Sequence, residues 1–147
     1  MSIKLDITNK RVLRLTLHKK AFEVMVTGEK TEEYRKPSVW INSRLYQKKT
    51  LGKFLYHEPK EYDLVIFTNG YGKDKPYFIA QMINHSPSNH HAEYCYSNGL
   101  QVEVTPGMHI IKLGNILEVG NYENTRHTGI STNGCHTAEN NHDAPKP

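Results

Sequence analysis

Between Arg11 and His18 the chain reads RVLRLTLH, with Leu13, Leu15 and Leu17 alternating against Arg14, Thr16 and His18. A period of two marks a half-buried strand. The next stretch, KKAFEVMVTG, changes period: Phe22, Met25 and Val26 fall at i, i+3 and i+4, and charged residues take other positions. This spacing predicts a short amphipathic helix closed by Gly28. KTEEYRK should then be extended, because Pro37 biases Lys36 away from helical geometry. On such a strand Thr31, Glu33 and Arg35 share one face, and Glu32, Tyr34 and Lys36 the other. Tyr34 is the best apolar anchor, so its face is expected to pack inward while Glu33 and Arg35 project together. Ser38 is expected to cap a second short helix with Trp40, Ile41 and Leu45 on one side.

The pattern is β-like from there on. YDLVIFTNGYGKDKPYFIAQMIN reads as two apolar strands around a turn rich in Gly, Asp, Lys and Pro. LQVEV alternates cleanly, and MHIIKLGNILEV predicts a strand, a Gly-Asn turn and one strand more. Residues 46–61 and 84–99 lack periodicity and read as polar connections. Residues 1–120 form the expected domain, and 121–147, almost without large apolar residues, a flexible polar tail. One strand, two small helices and about five further strands predict a mainly β, α+β domain. The expected form is a small, partly open β-barrel with two or three short helices plugging one end.

A length of 147 residues suits a single core. No run approaches the roughly 20 apolar residues of a membrane span, and no apolar leader follows the N-terminus, so no membrane partner is expected. Residues 1–60 carry 14 Lys/Arg against 6 Asp/Glu, and residues 61–147 carry 5 against 9. A basic N-terminal half suits a polyanionic partner such as nucleic acid. Cys95 and Cys135 lie far apart and read as reduced thiols in a cytoplasmic protein. His85, His90 and His91 before Cys95, and His136 and His142 near Cys135, match no defined zinc spacing and read as solvated loop histidines. No metal and no cofactor is expected.

Two clusters carry candidate chemistry. In VTGEKTEEYRKPSVW, Arg35 offers a planar fork of donors for phosphate or carboxylate. Lys30 offers a mobile charge for phosphate, or a base if burial lowers its pKa. Glu33 beside Arg35 could accept from a base amino group or move a proton. In TNGYGKDKPY, Asn69, Tyr71 and Lys73 lie in a hairpin with two glycines, where a ring beside a lysine suits a stacked base and its phosphate. The same hairpin reads equally well as a tight turn with solubilising lysines. His18, ending the first strand, is the histidine nearest the expected cleft.

The leucine-alternating strand, the short helix ending in glycine, and Gly28-x-Lys30-x-x-Glu33-x-Arg35 together resemble the signature of the ASCH domain family. The resemblance spans roughly residues 12 to 119 and is greatest to short ASCH proteins of bacteria and their phages. It implies a PUA-like barrel, a fold used in RNA recognition, in which Lys30, Glu33 and Arg35 line a cleft for RNA, a nucleotide or a nucleoside. It also implies two hydrolase alternatives. One branch of the family cuts RNA, for which Lys30, Glu33, Arg35 and His18 would be the catalytic candidates. Another deacetylates N4-acetylcytidine using a lysine and a threonine, but the position three after Lys30 is Glu33, and Thr31 is only its neighbour. A phage or bacterial protein-interaction factor is a further alternative. The sequence does not fix the oligomeric state.

Overall fold

The computed structural model describes residues 4–123. Along them run β1 (Val12–Leu17), α1 (Lys19–Val26), β2 (Glu32–Arg35), α2 (Val39–Leu45), β3 (Tyr46–Leu51) and β4 (Phe54–Pro59). There follow β5 (Leu64–Asn69), β6 (Tyr77–Pro87), β7 (Ala92–Cys95), β8 (Gln101–Val104) and β9 (His109–Gly120). Five strands form the main sheet in the order β1-β5-β6-β9-β2; β3-β4 and β7-β8 are separate two-stranded ribbons. β1 runs parallel to β5, and the other pairings are antiparallel. The main sheet curls into a half-barrel, so the chain is a mostly β, α+β protein with a partly open barrel, as expected.

The hydrophobic pattern explains the layers. Leu13, Leu15 and Leu17 of β1 are buried and Arg14 is exposed, as alternation requires. β5 lies second in the sheet, and its run Leu64–Phe67 is buried on both faces. On the inner face Phe22 of α1 meets Phe78 at 5.4 Å and Phe78 meets Phe67 at 5.3 Å between ring centroids. Each such ring, fully buried, stabilises the fold by roughly 1.5–3 kcal/mol, more than a surface ion pair contributes. Leu64, Ile66 and Ile79 make a smaller cluster on the other face, covered by Leu5 and Ile7. α1 ends as its sequence predicts: Gly28 has φ +86° and donates its N–H to the Met25 carbonyl at 3.0 Å. Ser38 caps α2, its Oγ accepting from the Ile41 N–H at 3.1 Å.

Several expectations are corrected. Gly114-Asn115 is no turn, because β9 runs straight through it. The Gln81 side chain lies against Gly114, where a Cβ would come within 2.8 Å of its Oε1, and that oxygen accepts from the Asn115 N–H at 3.0 Å. Register shifts between β6 and β9 cluster here, between Ile79 and Asn84, and bulges of this kind bend a sheet. Residues 46–61 are not a loop but the β3-β4 hairpin, exposed on both faces and so without the alternation that burial imposes. Much of 84–99 is likewise strand, in β6 and β7. Trp40 does not join Ile41 and Leu45: both of those are buried, whereas Trp40 is 49% exposed with the Arg44 guanidinium 4.9 Å from its ring.

Tyr122, on the tail side of the expected boundary at 120, packs edge-on against Phe22 at 5.3 Å. Residues 124–147 of the expected tail lie outside the described residues. Of the two cysteines expected as reduced thiols, Cys135 lies outside the described residues. Among the described residues no helix is long and apolar enough to cross a membrane.

Candidate functional site

After Gly28 the chain turns back beneath α1, and the Lys30 N–H donates to the Val24 carbonyl at 2.9 Å. This places the Lys30 side chain inside the fold, with a relative exposure of 2%. β2 then pairs with β9 in a register that sets Glu33 opposite Ile111 and Tyr34 opposite Ile110. Cross-strand partners share a face, and Ile111 is a core residue, so Glu33 is drawn inward with it. The expected face assignment is therefore reversed. Glu33 and Arg35 do share a face, but it is the inner one. Tyr34 lies on the other, stacked parallel on Tyr94 at 5.6 Å, its hydroxyl donating to Glu32 Oε1 at 2.6 Å.

The side chains of Lys30, Glu33 and Arg35 form one connected row. Lys30 Nζ donates to Glu33 Oε1 at 2.9 Å and Arg35 Nε to Glu33 Oε2 at 2.7 Å. Arg35 Nη2 continues to the Thr16 carbonyl of β1 at 2.5 Å. β1 and β2 are the two edges of the main sheet, so Arg35 ties one edge to the other across the mouth of the half-barrel. Lys30 Nζ also donates to the Glu32 carbonyl and lies 5.0 Å from the Tyr34 ring centre. Burial lowers the Lys30 pKa, outweighing the attraction of Glu33 that acts to raise it. Lys30 is thus fixed and buried, not the mobile surface charge expected, and it meets the condition set for its other expected role, a base whose pKa burial lowers.

Two cavities flank this row. One of about 250 Å³ is lined by His18, Lys30, Glu33, Tyr34, Gln101 and Glu103, among others. The second, of about 420 Å³, is lined by Arg14, Leu15, Thr16, Arg35, Trp40, Thr68 and Tyr71. Tyr71 is held upright between Gly70 (φ +89°) and Gly72 (φ +111°), a conformation that glycine adopts without strain. Its hydroxyl accepts from Thr16 Oγ at 3.3 Å. The larger cleft therefore has two aromatic walls, Trp40 and Tyr71, and two guanidinium groups.

Of the candidates, Arg35 and Tyr71 meet in the larger cleft, and Lys30, Glu33 and His18 meet in the smaller. Asn69 and Lys73 line neither. Asn69 closes β5 opposite Leu17, and Lys73 is exposed on the turn. Arg14 and Trp40 were missed as site residues. Arg14 reads as the solvated face of a strand, and Trp40 as core. The spacing held the signal for Trp40, since adjacent positions on a helix cannot share a face with equal burial.

Among the histidines, His85 is not a solvated loop residue. It lies on β6 with its Nε2 2.8 Å from the Lys60 carbonyl and its ring edge-on to Tyr46. His109 is buried, with Nε2 2.7 Å from Asn42 Oδ1, and burial lowers its pKa. Among the described residues, His91, Glu93 and Glu103 bring three potential metal-ligand atoms within 4.8 Å of one another, all on exposed side chains. No protein-family profile, curated protein or solved structure matches the chain.

Proposed function

We propose that this chain is an ASCH-type, PUA-like domain that binds RNA or a nucleotide in the cleft between β1, α2 and the β5-β6 turn. The observation that carries the reading is the wall of the larger cavity: Trp40 and Tyr71 rings beside Arg14 and Arg35. An unstacked base gains about 1–3 kcal/mol by lying on an aromatic face. Guanidinium groups beside it supply bidentate donors to phosphate. In this reading Arg35 faces the ligand, Glu33 fixes its orientation, and Lys30 balances Glu33 from the far side without touching the ligand. The Gly28-x-Lys30-x-x-Glu33-x-Arg35 spacing and the basic N-terminal half support the same assignment. The hydrolase alternatives are less well supported, because the Lys30 ammonium is already engaged by Glu33 and the Glu32 carbonyl. Placement in the cytoplasm belongs to the same proposal.

Trp40 is the only tryptophan, so its fluorescence reports on the cleft directly. Nucleoside monophosphates and short RNA should quench it saturably. Tyr71→Ala should weaken binding by ~1–3 kcal/mol. Arg14→Gln should weaken it too and flatten its salt dependence, and both exposed positions should leave the melting temperature nearly unchanged. Emission that stays constant across all four nucleotides and RNA would rule the cleft out as a base-binding site.

A further inference from the structure

The β3-β4 hairpin takes no part in the cleft. It forms a sheet of its own, and every residue from Lys48 to His57 is exposed. A lone two-stranded ribbon is marginal in water. This one nevertheless displays large apolar groups near its tip: Leu51 at 72%, Phe54 at 76% and Leu55 at 60% exposure, with Tyr56 beside them. The register pairs Leu51 with Phe54 and Lys49 with Tyr56. Leu51, Phe54, Lys49 and Tyr56 therefore share one face of the ribbon.

Charge identifies the occupant. Between Tyr46 and Pro59 the chain carries Lys48, Lys49 and Lys53 and a single carboxylate, Glu58. Glu58 sits at the base of the ribbon, bonded to Gln47 Nε2 at 2.9 Å and 3.9 Å from Lys49 Nζ. The outer part is left positive, with rings set between lysines. Protein-binding patches are depleted of lysine at their centres. Rings that stack bases beside cations that meet phosphates are the requirement of a single strand, whose bases are free.

We propose that the β3-β4 hairpin is an arm that grips single-stranded nucleic acid, with Phe54 and Tyr56 stacking on bases and Lys49, on the same face, and Lys53, in the turn, facing phosphates. The proposal rests on the nucleic-acid reading of the cleft but uses none of its residues. The arm starts where α2, the helix that carries Trp40, ends.

The test compares a nucleoside monophosphate, followed by Trp40 emission, with labelled RNA and DNA single strands of roughly 12 nucleotides, followed by anisotropy. Phe54→Ala with Tyr56→Ala should weaken oligonucleotide binding at least tenfold and leave mononucleotide binding and the melting temperature unchanged. Lys49→Gln with Lys53→Gln should lower the salt slope by roughly 1.4, about 0.7 per lysine. Equal loss for RNA and DNA identifies an arm for any single strand, and a larger loss for RNA identifies one that reads the 2′-hydroxyl. The proposal is overturned if the parent binds no oligonucleotide, or if the double alanine variant binds it like the parent. It is also overturned if that variant instead loses self-association or binding to phosphatidylserine vesicles. Arm-dependent oligonucleotide binding without any mononucleotide quenching would retire the cleft reading and leave the arm standing.

Discussion

Glu33 is a carboxylate shared by two cations, one buried and one at a cleft, and the energetics of the site turn on that. Removing one member of a buried ion pair leaves an uncompensated charge, which costs about 3–5 kcal/mol. Lys30→Ala should therefore destabilise the fold by roughly that amount, measured by urea unfolding at neutral pH; a change under 1 kcal/mol would show that water replaces the ammonium. Because burial lowers the Lys30 pKa, the unfolded chain holds this proton more tightly than the folded one. Stability from Lys30 therefore rises with pH between its folded value and the ordinary 10.5. The gap between parent and Lys30→Ala should widen as pH climbs through that window. The spacing of Lys30, Glu33 and Arg35 was legible in the sequence as a cluster. Its facing was not, since alternation says which side chains share a face and only the pairing of Glu33 with Ile111 says which face is inside.

Among the elements, β9 does the most to position the site. It covers β2 along one edge and β6 along the other, and through His109 it holds α2 at Asn42. The His109 pKa is lowered first by burial and then by His85. The sign is again that of a group protonated first in the unfolded chain. Stability should fall as pH drops below 6.5 toward the folded value, and level off beneath it. His109→Gln keeps a donor for Asn42 and should flatten that part of the profile, seen in urea midpoints taken above and below 6.5; an unchanged slope would assign the acid sensitivity elsewhere. β1, α1 and β5 were readable because burial gives them clean periods. β3 and β4 were not, because neither face is covered. β9 was split at Gly114 because the cause of its continuity, the Gln81 side chain, lies 33 positions away in the sequence.

For the whole molecule, the half-barrel is closed along its mouth by a side chain rather than by a strand. The curl and the parallel β1-β5 pairing come from long-range contacts that no local pattern encodes. The boundary of the domain is a matter of the same kind. A chain ending at Gly120 loses the Tyr122 ring that packs on Phe22, whereas one ending at Glu123 keeps it. We expect the shorter chain to melt several degrees below the longer, and equal melting temperatures would show that the Tyr122 contact is dispensable.

The order in which the strands leave the ribosome gives the β2-β9 pairing a temporal meaning. β2 is made early, but the strand that covers it starts at His109, roughly 75 residues later, or roughly 4–15 s at typical rates of synthesis. Until then Glu33 has no Ile111 to draw it inward. A nascent or prematurely terminated chain thus carries Lys30, Glu33 and Arg35 without the strand that covers them, and the inward facing of Glu33 is set only when β9 arrives.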